Sequence, residues 1–498
     1  MDEWHYIGLS EQLDQGIPIV QSKWAFELGF VILLALLGKI LELVTWYHVL
    51  PLAAGVAVML ILVHHYARTD DLLSAVLAVL LFASLPSNVN ILGTWFFVPS
   101  TTAIPFFFLA IFLIHRFFRG EDQRYMFLVI IIGMALFLIH PQTFLIALLF
   151  AVLHYIFQRS GRMTVGKDAP LSHSRISFLL PPCRTPLSPV SDKLRVQVRI
   201  ASVLLLAGIF IYYLFWSGFD PIGVFGLMKG YLVYPESFNQ FTILYNPFLL
   251  WGILQSLFVI IGSWKALRQA DALLLPLTVL QGLLLVNIGI FLATGYSVLA
   301  HFQRILYFWM LVSLPVAVQG MRTVVVYLSG LILRGMSAAA RCSSLLRSAL
   351  AEKEVTIAVA MSMLMIVAFT PVVVAGQMRD QFPANVFYPV EWSDYHDISL
   401  LRSSKYNLLV MAPLYIGQSV MPISGKRAVV KIKDGPESRE YAQWFYRQDC
   451  AGMRRQVEQK CIDVVYSQRE LRCPGFIREP ESINYLYYTY GVRNGTCG

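Results

Sequence analysis

Apolar runs of about 20 residues, separated by short polar or basic loops, recur from about residue 47 to residue 376. A helix rises 1.5 Å per residue, so such a run crosses the roughly 30 Å hydrocarbon core of a bilayer. The pattern predicts ten spans, near residues 47 to 67, 71 to 86, 101 to 118, 125 to 140, 142 to 158, 200 to 216, 247 to 265, 272 to 294, 303 to 328 and 355 to 376. An earlier apolar stretch, "AFELGFVILLALLGKILELV" at 25 to 44, carries Glu27, Lys39 and Glu42. Each such charge costs about 2.5 to 3.5 kcal/mol at the bilayer centre. Counted as a full span, it would also leave the basic "HHYARTDD" loop outside. An amphipathic helix at the outer interface, or a re-entrant one, accommodates it more cheaply.

From about residue 377 the pattern changes. Short alternating runs such as "YNLLVMAP" and "RAVVKIK" predict strands, in a separate domain of about 120 residues, a normal size for a small α+β unit. Composition agrees with the division, since 57% of residues are hydrophobic and 14% charged, against roughly 25% charged in a soluble domain. The expected fold is a polytopic α-helical membrane protein with a small extracytoplasmic α+β C-terminal domain. Residues 159 to 199, with "PPCRTPLSP", form a long cytoplasmic loop. Internal repeats, GxGxxG and Walker motifs are absent from the sequence, so no nucleotide site is implied.

The net charge of +9 does not call for nucleic acid, because the basic residues occupy alternate loops. Arg116, Arg119 and Arg124 lie in one. Arg159, Arg162, Lys167, Arg175, Arg184, Lys193, Arg195 and Arg199 lie in the next. Lys265 and Arg268, then Arg334, Arg341, Arg347 and Lys353, complete the set. The positive-inside rule assigns these loops to the cytoplasm, which leaves membrane lipids as the implied surroundings. Outside then lie residues 1 to 24, the 86 to 100 loop, the tip at His140, the 217 to 246 loop, the 295 to 302 tip and the C-terminus. The opening "MDEWHYIGLSEQLDQG" has no basic region, apolar core or cleavage site of a signal peptide. Its Asp2, Glu3, His5, Glu11 and Asp14 are expected to form a solvated segment. An even span count with an outside N-terminus implies either a first membrane helix upstream or a reverse signal-anchor.

Four cysteines, Cys450, Cys461, Cys473 and Cys497, fall in the outer domain, while Cys183 and Cys342 fall in cytoplasmic loops. Four in an oxidising compartment predict two disulfides of three possible connectivities. Zinc is the alternative, although the sequence has no CxxC pair. Asn494-Gly495-Thr496 is a glycosylation sequon on the same side.

An acidic first outer segment, the interfacial "PIVQSKWAFELGFVILLALLGKILEL", many spans and an outer C-terminal domain together resemble the GT-C superfamily of integral membrane glycosyltransferases. The stretches "FLIHPQTFLIALLF", "AHFQRILYFWMLVSLPVAVQG" and "LYIGQSVMPISGKRAVV" follow the same order. The resemblance implies a GT-C-like helical bundle that moves a sugar from a polyprenyl-phosphate-linked donor to a lipid-linked glycan or protein acceptor, with inversion and an Asp base. It also implies that the chain lacks the family's first transmembrane helix. Asp2 matches the family's first-loop acid, beside Glu3 and His5. In a helix Asp2 and His5 share a face and could hold a divalent metal such as Mg or Mn. Arg304, with His301 and Gln303 at the outer end of a span, suits a lipid phosphate. It could equally be a snorkelling anchor. His140 could reach the same cleft or cap a helical hairpin, and Lys229, Tyr234 and Glu236 belong to an outer loop that could close over substrate.

The chain departs from the oligosaccharyltransferase pattern in the loop "SLPSNVNILGTWFFVPST", which contains no Asp or Glu. That puts a two-carboxylate metal site in doubt. The tryptophan-rich acceptor motif has only an echo in Glu391-Trp392-Ser393-Asp394-Tyr395, which favours a monosaccharide transferase over an oligosaccharyltransferase. A secondary transporter would carry inverted repeats and mid-membrane charges, and the spans here hold almost no acids. A non-catalytic scaffold of glycan assembly would keep the fold and tolerate loss of Asp2.

Overall fold

The computed structural model describes residues 2–14, 27–46, 49–68, 71–85, 98–119, 124–160, 164–165, 185–186, 233–235, 251–339, 390–430 and 436–490, with isolated positions between 196 and 211. The expected spans at 200 to 216 and 355 to 376, most of the long cytoplasmic loop, Lys229, Glu236, Cys497 and the sequon lie outside the described residues. The chain divides into two compact units, residues 50–380 and residues 1–49 with 381–498.

The second of these begins with helices α1 (Asp2–Asp14), α2 (Leu28–Gly38) and α3 (Leu43–Trp46). The opening stretch is therefore not the solvated segment expected from its charges. It is a helix with Tyr6, Ile7, Leu9 and Ser10 buried. α2 covers it, with Phe30, Val31 and Leu34 turned inward, Tyr6 edge-on to Phe30 and the Tyr6 hydroxyl donating to Glu27. That bond supplies the partner a buried carboxylate needs. Ile32 and Leu36 on α2, and Ile40 just after it, are exposed.

On Glu11 of α1 one carboxylate oxygen, Oε2, is buried without a hydrogen bond among the described residues. Burial pushes its carboxyl up from the ordinary 4.5 to about 8, with the Arg402 charge pulling the other way. The folded chain thus keeps a proton that the unfolded chain releases from about pH 4.5 upward. This group's contribution to stability is complete below the unfolded value and is lost as pH rises through about 8. Glu11→Gln cannot ionise, so the melting temperature of the detergent-purified variant should fall less than that of wild type between about pH 5 and pH 9. Equal falls would show that Glu11 is solvated.

The 50–380 unit contains α4 (Leu50–Ala67), α5 (Leu72–Ala83), α6 (Pro99–Phe118), α7 (Arg124–Ile139), α8 (Pro141–Arg159), the short strands β1 (Thr164–Val165), β2 (Thr185–Pro186) and β3 (Val233–Pro235), α9 (Ile253–Gln269), α10 (Leu274–Thr294), β4 (Tyr296–Val298) and α11 (Phe302–Ala339). Among the described residues five helices are long and apolar enough to cross a membrane: α4, α6, α8, α10 and the Phe302–Ser329 part of α11. Prolines open α6 and α8, where a missing N–H costs nothing. Asp71 caps α5 through Ser74 N–H at 3.0 Å and pairs with Arg322 of α11 at 3.2 Å. Gly262 of α9 and Gly320 of α11 let these two helices meet backbone to backbone. A Cβ on either would lie 1.9 Å from a carbonyl oxygen of the other helix.

The remaining elements are α12 (Trp392–Leu400), β5 (Leu409–Met411), α13 (Leu414–Ser424), β6 (Arg427–Ala428), α14 (Pro436–Phe445), α15 (Cys450–Lys460), β7 (Val464–Ser467), β8 (Ile477–Arg478) and β9 (Tyr485–Tyr488). The strands form one sheet in the order β6-β5-β7-β9-β8. β6, β5 and β7 are parallel, whereas β9 is antiparallel to β7 and β8. β5 and β6 fall within the two runs that predict strands. All four residues of β7 are buried, as suits a central strand with helices against it. Met411, Phe445, Val457, Ile462 and Val465 are core residues here. A Cβ on Gly8 of α1 would lie 3.5 Å from the Pro422 ring on α13, so the N-terminal helix packs on the sheet domain within one unit. Cys450 and Cys473 form a disulfide, with Cα atoms 5.2 Å apart, and Cys461 is disulfide-bonded as well. For these residues the bonds replace the zinc alternative.

Candidate functional site

α8 starts at Pro141, and His140 immediately before it is the N-cap residue. α11 starts at Phe302, placing Arg304 in its first turn, with the Arg304 N–H bonded to the His301 carbonyl at 2.8 Å. The fold brings these two helix starts together. A guanidinium nitrogen of Arg304 (Nη1) lies 2.6 Å from His140 Nε2 and 3.2 Å from Gln142 Oε1. His140 Nδ1 lies 2.7 Å from the Thr143 hydroxyl. His140, Gln142 and Thr143 are buried, His140 completely. Arginine only donates, so both contacts of Nη1 run outward from it, and neither partner carries a negative charge. The Phe308 ring flanks His140 at 6.2 Å between centroids.

The 295 to 302 tip is braced from both sides. Tyr234, in the loop expected to close over substrate, pairs with Ser297 in the two-stranded β3–β4 sheet. The Asn287 side chain holds Val298 by its carbonyl at 2.6 Å and its N–H at 2.9 Å. His301, at the mouth of α11, is held by burial, and then by the Arg304 charge, in its neutral form down to about pH 4. Gln303 is half-buried beside it. Tyr234 is thus joined to the Arg304 tip through the backbone, while Lys229 and Glu236 lie outside the described residues. Sequence reasoning missed Gln142 and Thr143; their place one and two residues after Pro141, in the first turn of a helix whose cap is a candidate residue, was the available signal.

Asp2, Glu3 and His5 stand in the first turns of α1, so Asp2 and His5 are three residues apart on one helix; their side chains lie outside those described. Among the described residues no three His, Cys, Asp or Glu side chains converge as a metal site.

The Glu391–Tyr395 stretch forms a separate polar centre in the sheet domain. Asp394 is fully buried and accepts from the Tyr466 hydroxyl, from Gln468 at 3.1 Å, from the Asn484 amide at 3.2 Å and from the Glu391 N–H at 2.8 Å. Asp397 accepts the Ile483 and Asn484 N–H groups at 2.7 and 2.8 Å. These bonds anchor the start of α12, where Trp392 is 73% exposed and stacks on Tyr395.

The fold is GT-C-like. Three structures of the oligosaccharyltransferase of Archaeoglobus fulgidus resemble the chain: one tethered to an acceptor peptide containing the NVT sequon (16% identity, TM-score 0.51), one in complex with an inhibitory peptide and dolichol-phosphate (15%, 0.50), and one with zinc and sulfate (14%, 0.51). Each comparison covers 94% of this chain, which spans about 65% of the length of that enzyme. No protein-family model and no curated protein sequence matches the chain. The shared architecture is a membrane-spanning helical bundle with a C-terminal α+β domain.

Proposed function

We propose that the protein is a membrane glycosyltransferase that uses a polyprenyl-phosphate-linked sugar donor and a lipid-linked glycan or protein acceptor on the extracytoplasmic face. The observation that carries this reading is the Arg304 fork, set by His140 and Gln142 at a helix start within a fold resembling an enzyme that binds dolichol-phosphate. A sugar ester of a lipid phosphate carries its own leaving group. The acceptor attacks the anomeric carbon from the opposite side, the bond from that carbon to the phosphate oxygen breaks, and charge grows on the departing phosphate. A positioned guanidinium stabilises that charge more than it stabilises the bound donor. Asp2 takes the acceptor's proton. No step here is routed through a metal; if Mg or Mn takes part, Asp2 and His5 are the residues proposed to hold it.

Donor phosphate recognition through Arg304 predicts that Arg304→Ala weakens donor binding and turnover by about 1.5 to 3 kcal/mol, the usual worth of a hydrogen bond to a charged group. Radiolabelled sugar transfer and donor binding in proteoliposomes measure both. Unchanged donor binding would return Arg304 to the role of interfacial anchor. An oligosaccharyltransferase-like protein, in place of a monosaccharide transferase, is the second reading. It is favoured by the exposed Trp392, stacked on the half-buried Tyr395 at the helix start that the buried Asp394 anchors.

A further inference from the structure

Arg304 reaches a phosphate in a fixed orientation only if its neighbours hold the guanidinium plane, and the proton on His140 decides whether they do. Neutral imidazole carries one N–H and one lone pair. Two partners compete to place that proton. The Thr143 hydroxyl, 2.7 Å from Nδ1, accepts it there and leaves the Nε2 lone pair to receive the Arg304 N–H at 2.6 Å. The Thr143 backbone N–H, 3.3 Å from the same Nδ1, would favour the opposite tautomer, whose Nε2–H would face the Arg304 donor. The hydroxyl bond is the shorter of the two, and the Arg304 contact is compatible only with the tautomer that it selects.

We propose that Thr143 and Gln142 are positioning residues for donor recognition: Thr143 by imposing the Nδ1–H tautomer on His140, Gln142 by accepting the second proton of Arg304 Nη1. The proposal rests on the donor-phosphate reading above. Neither residue need touch the donor. Together they remove the rotamer freedom that a long arginine would otherwise lose on binding, and neither of these two residues adds a negative charge that would compete with the phosphate.

The test is equilibrium binding of tritiated undecaprenyl phosphate to the full chain in detergent, with undecaprenol as the uncharged control. Selectivity for the phosphate over the alcohol is the readout, because a merely structural defect lowers affinity for both. Thr143→Val, nearly the same shape without the hydroxyl, should lower that selectivity about tenfold, and Thr143→Ser should restore it to within about twofold. Gln142→Glu should lower it as well, because a carboxylate beside the guanidinium competes with the phosphate; this variant serves if Thr143→Val fails to fold. Unchanged selectivity in Thr143→Val, or in Gln142→Glu where it stands in, with selectivity lost in Arg304→Ala, overturns the positioning role and leaves the donor reading intact. Unchanged selectivity in Arg304→Ala overturns both.

Discussion

Asp2→Asn is expected to cut sugar transfer by roughly 10² or more, the scale on which a positioned general base acts, while donor binding persists. The substitution keeps the shape and removes the site that receives the acceptor's proton. Its structural cost is bounded. Asp2 stands at the start of α1, where a carboxylate's interaction with the helix N-terminus is worth about 0.3 to 1 kcal/mol, too little to unfold a helix packed through Tyr6, Ile7 and Leu9. Radiolabelled transfer in proteoliposomes, with Asp2→Glu as the variant that keeps a carboxylate, separates chemistry from folding. Full activity in Asp2→Asn would remove Asp2 as the base. Wild type that transfers sugar from no polyprenyl-phosphate donor would favour a scaffold of glycan assembly.

Five of the ten expected spans coincide with described helices long and apolar enough to cross a membrane, and these were legible because twenty apolar residues in a row have few other solutions. Likewise "YNLLVMAP" and "RAVVKIK" alternate as half-buried strands do, and they hold β5 and β6. The burial of α1 was not legible. Asp2, Glu3, Glu11 and Asp14 give it a polar composition, and what buries it is supplied by α2 and by Pro422, some four hundred residues along the chain. The Arg304–His140 contact joins residues 164 apart in sequence; each could be read as sitting at a helix tip, but nothing local says that two tips meet. Thr143 was passed over for a different reason. A threonine in the first turn of a helix is ordinary, and its effect on the site passes through the proton of another residue. The Glu391–Tyr395 echo lay at the right place to be noticed, but of the four donors to Asp394 only one is in its own turn; Tyr466 and Gln468 come from the end of β7 and Asn484 from just before β9.

Gly320→Leu is expected to abolish the folded state in mild detergent, and Gly320→Ala to lower stability by about 1 to 3 kcal/mol, the usual cost of overpacking. The reason is the crossing of α9 and α11. A Cβ on Gly320 would lie 1.9 Å from the Phe258 oxygen, and one on Gly262 1.9 Å from the Val316 oxygen. Both obstacles are backbone, so no rotamer change relieves them and the helices must separate. In a bilayer such close approach through small residues is a main source of helix association. Gly282 and Gly289 on α10 have nothing within 4 Å of a built Cβ. Alanine at either should be neutral or stabilising by up to about 1 kcal/mol through helix propensity. The crossing also bears on function. α11 carries Gly320 and Arg304 sixteen positions apart, about 24 Å along the axis at 1.5 Å per residue, so a helix pushed off α9 tilts or shifts its first turn away from His140. Gly320→Ala should therefore weaken donor binding as well as stability, whereas Gly289→Ala should leave both unchanged. Unfolding followed by SDS titration, with binding on the same preparations, decides it. If Gly320→Ala matches Gly289→Ala in both, α9 and α11 do not cross at these glycines.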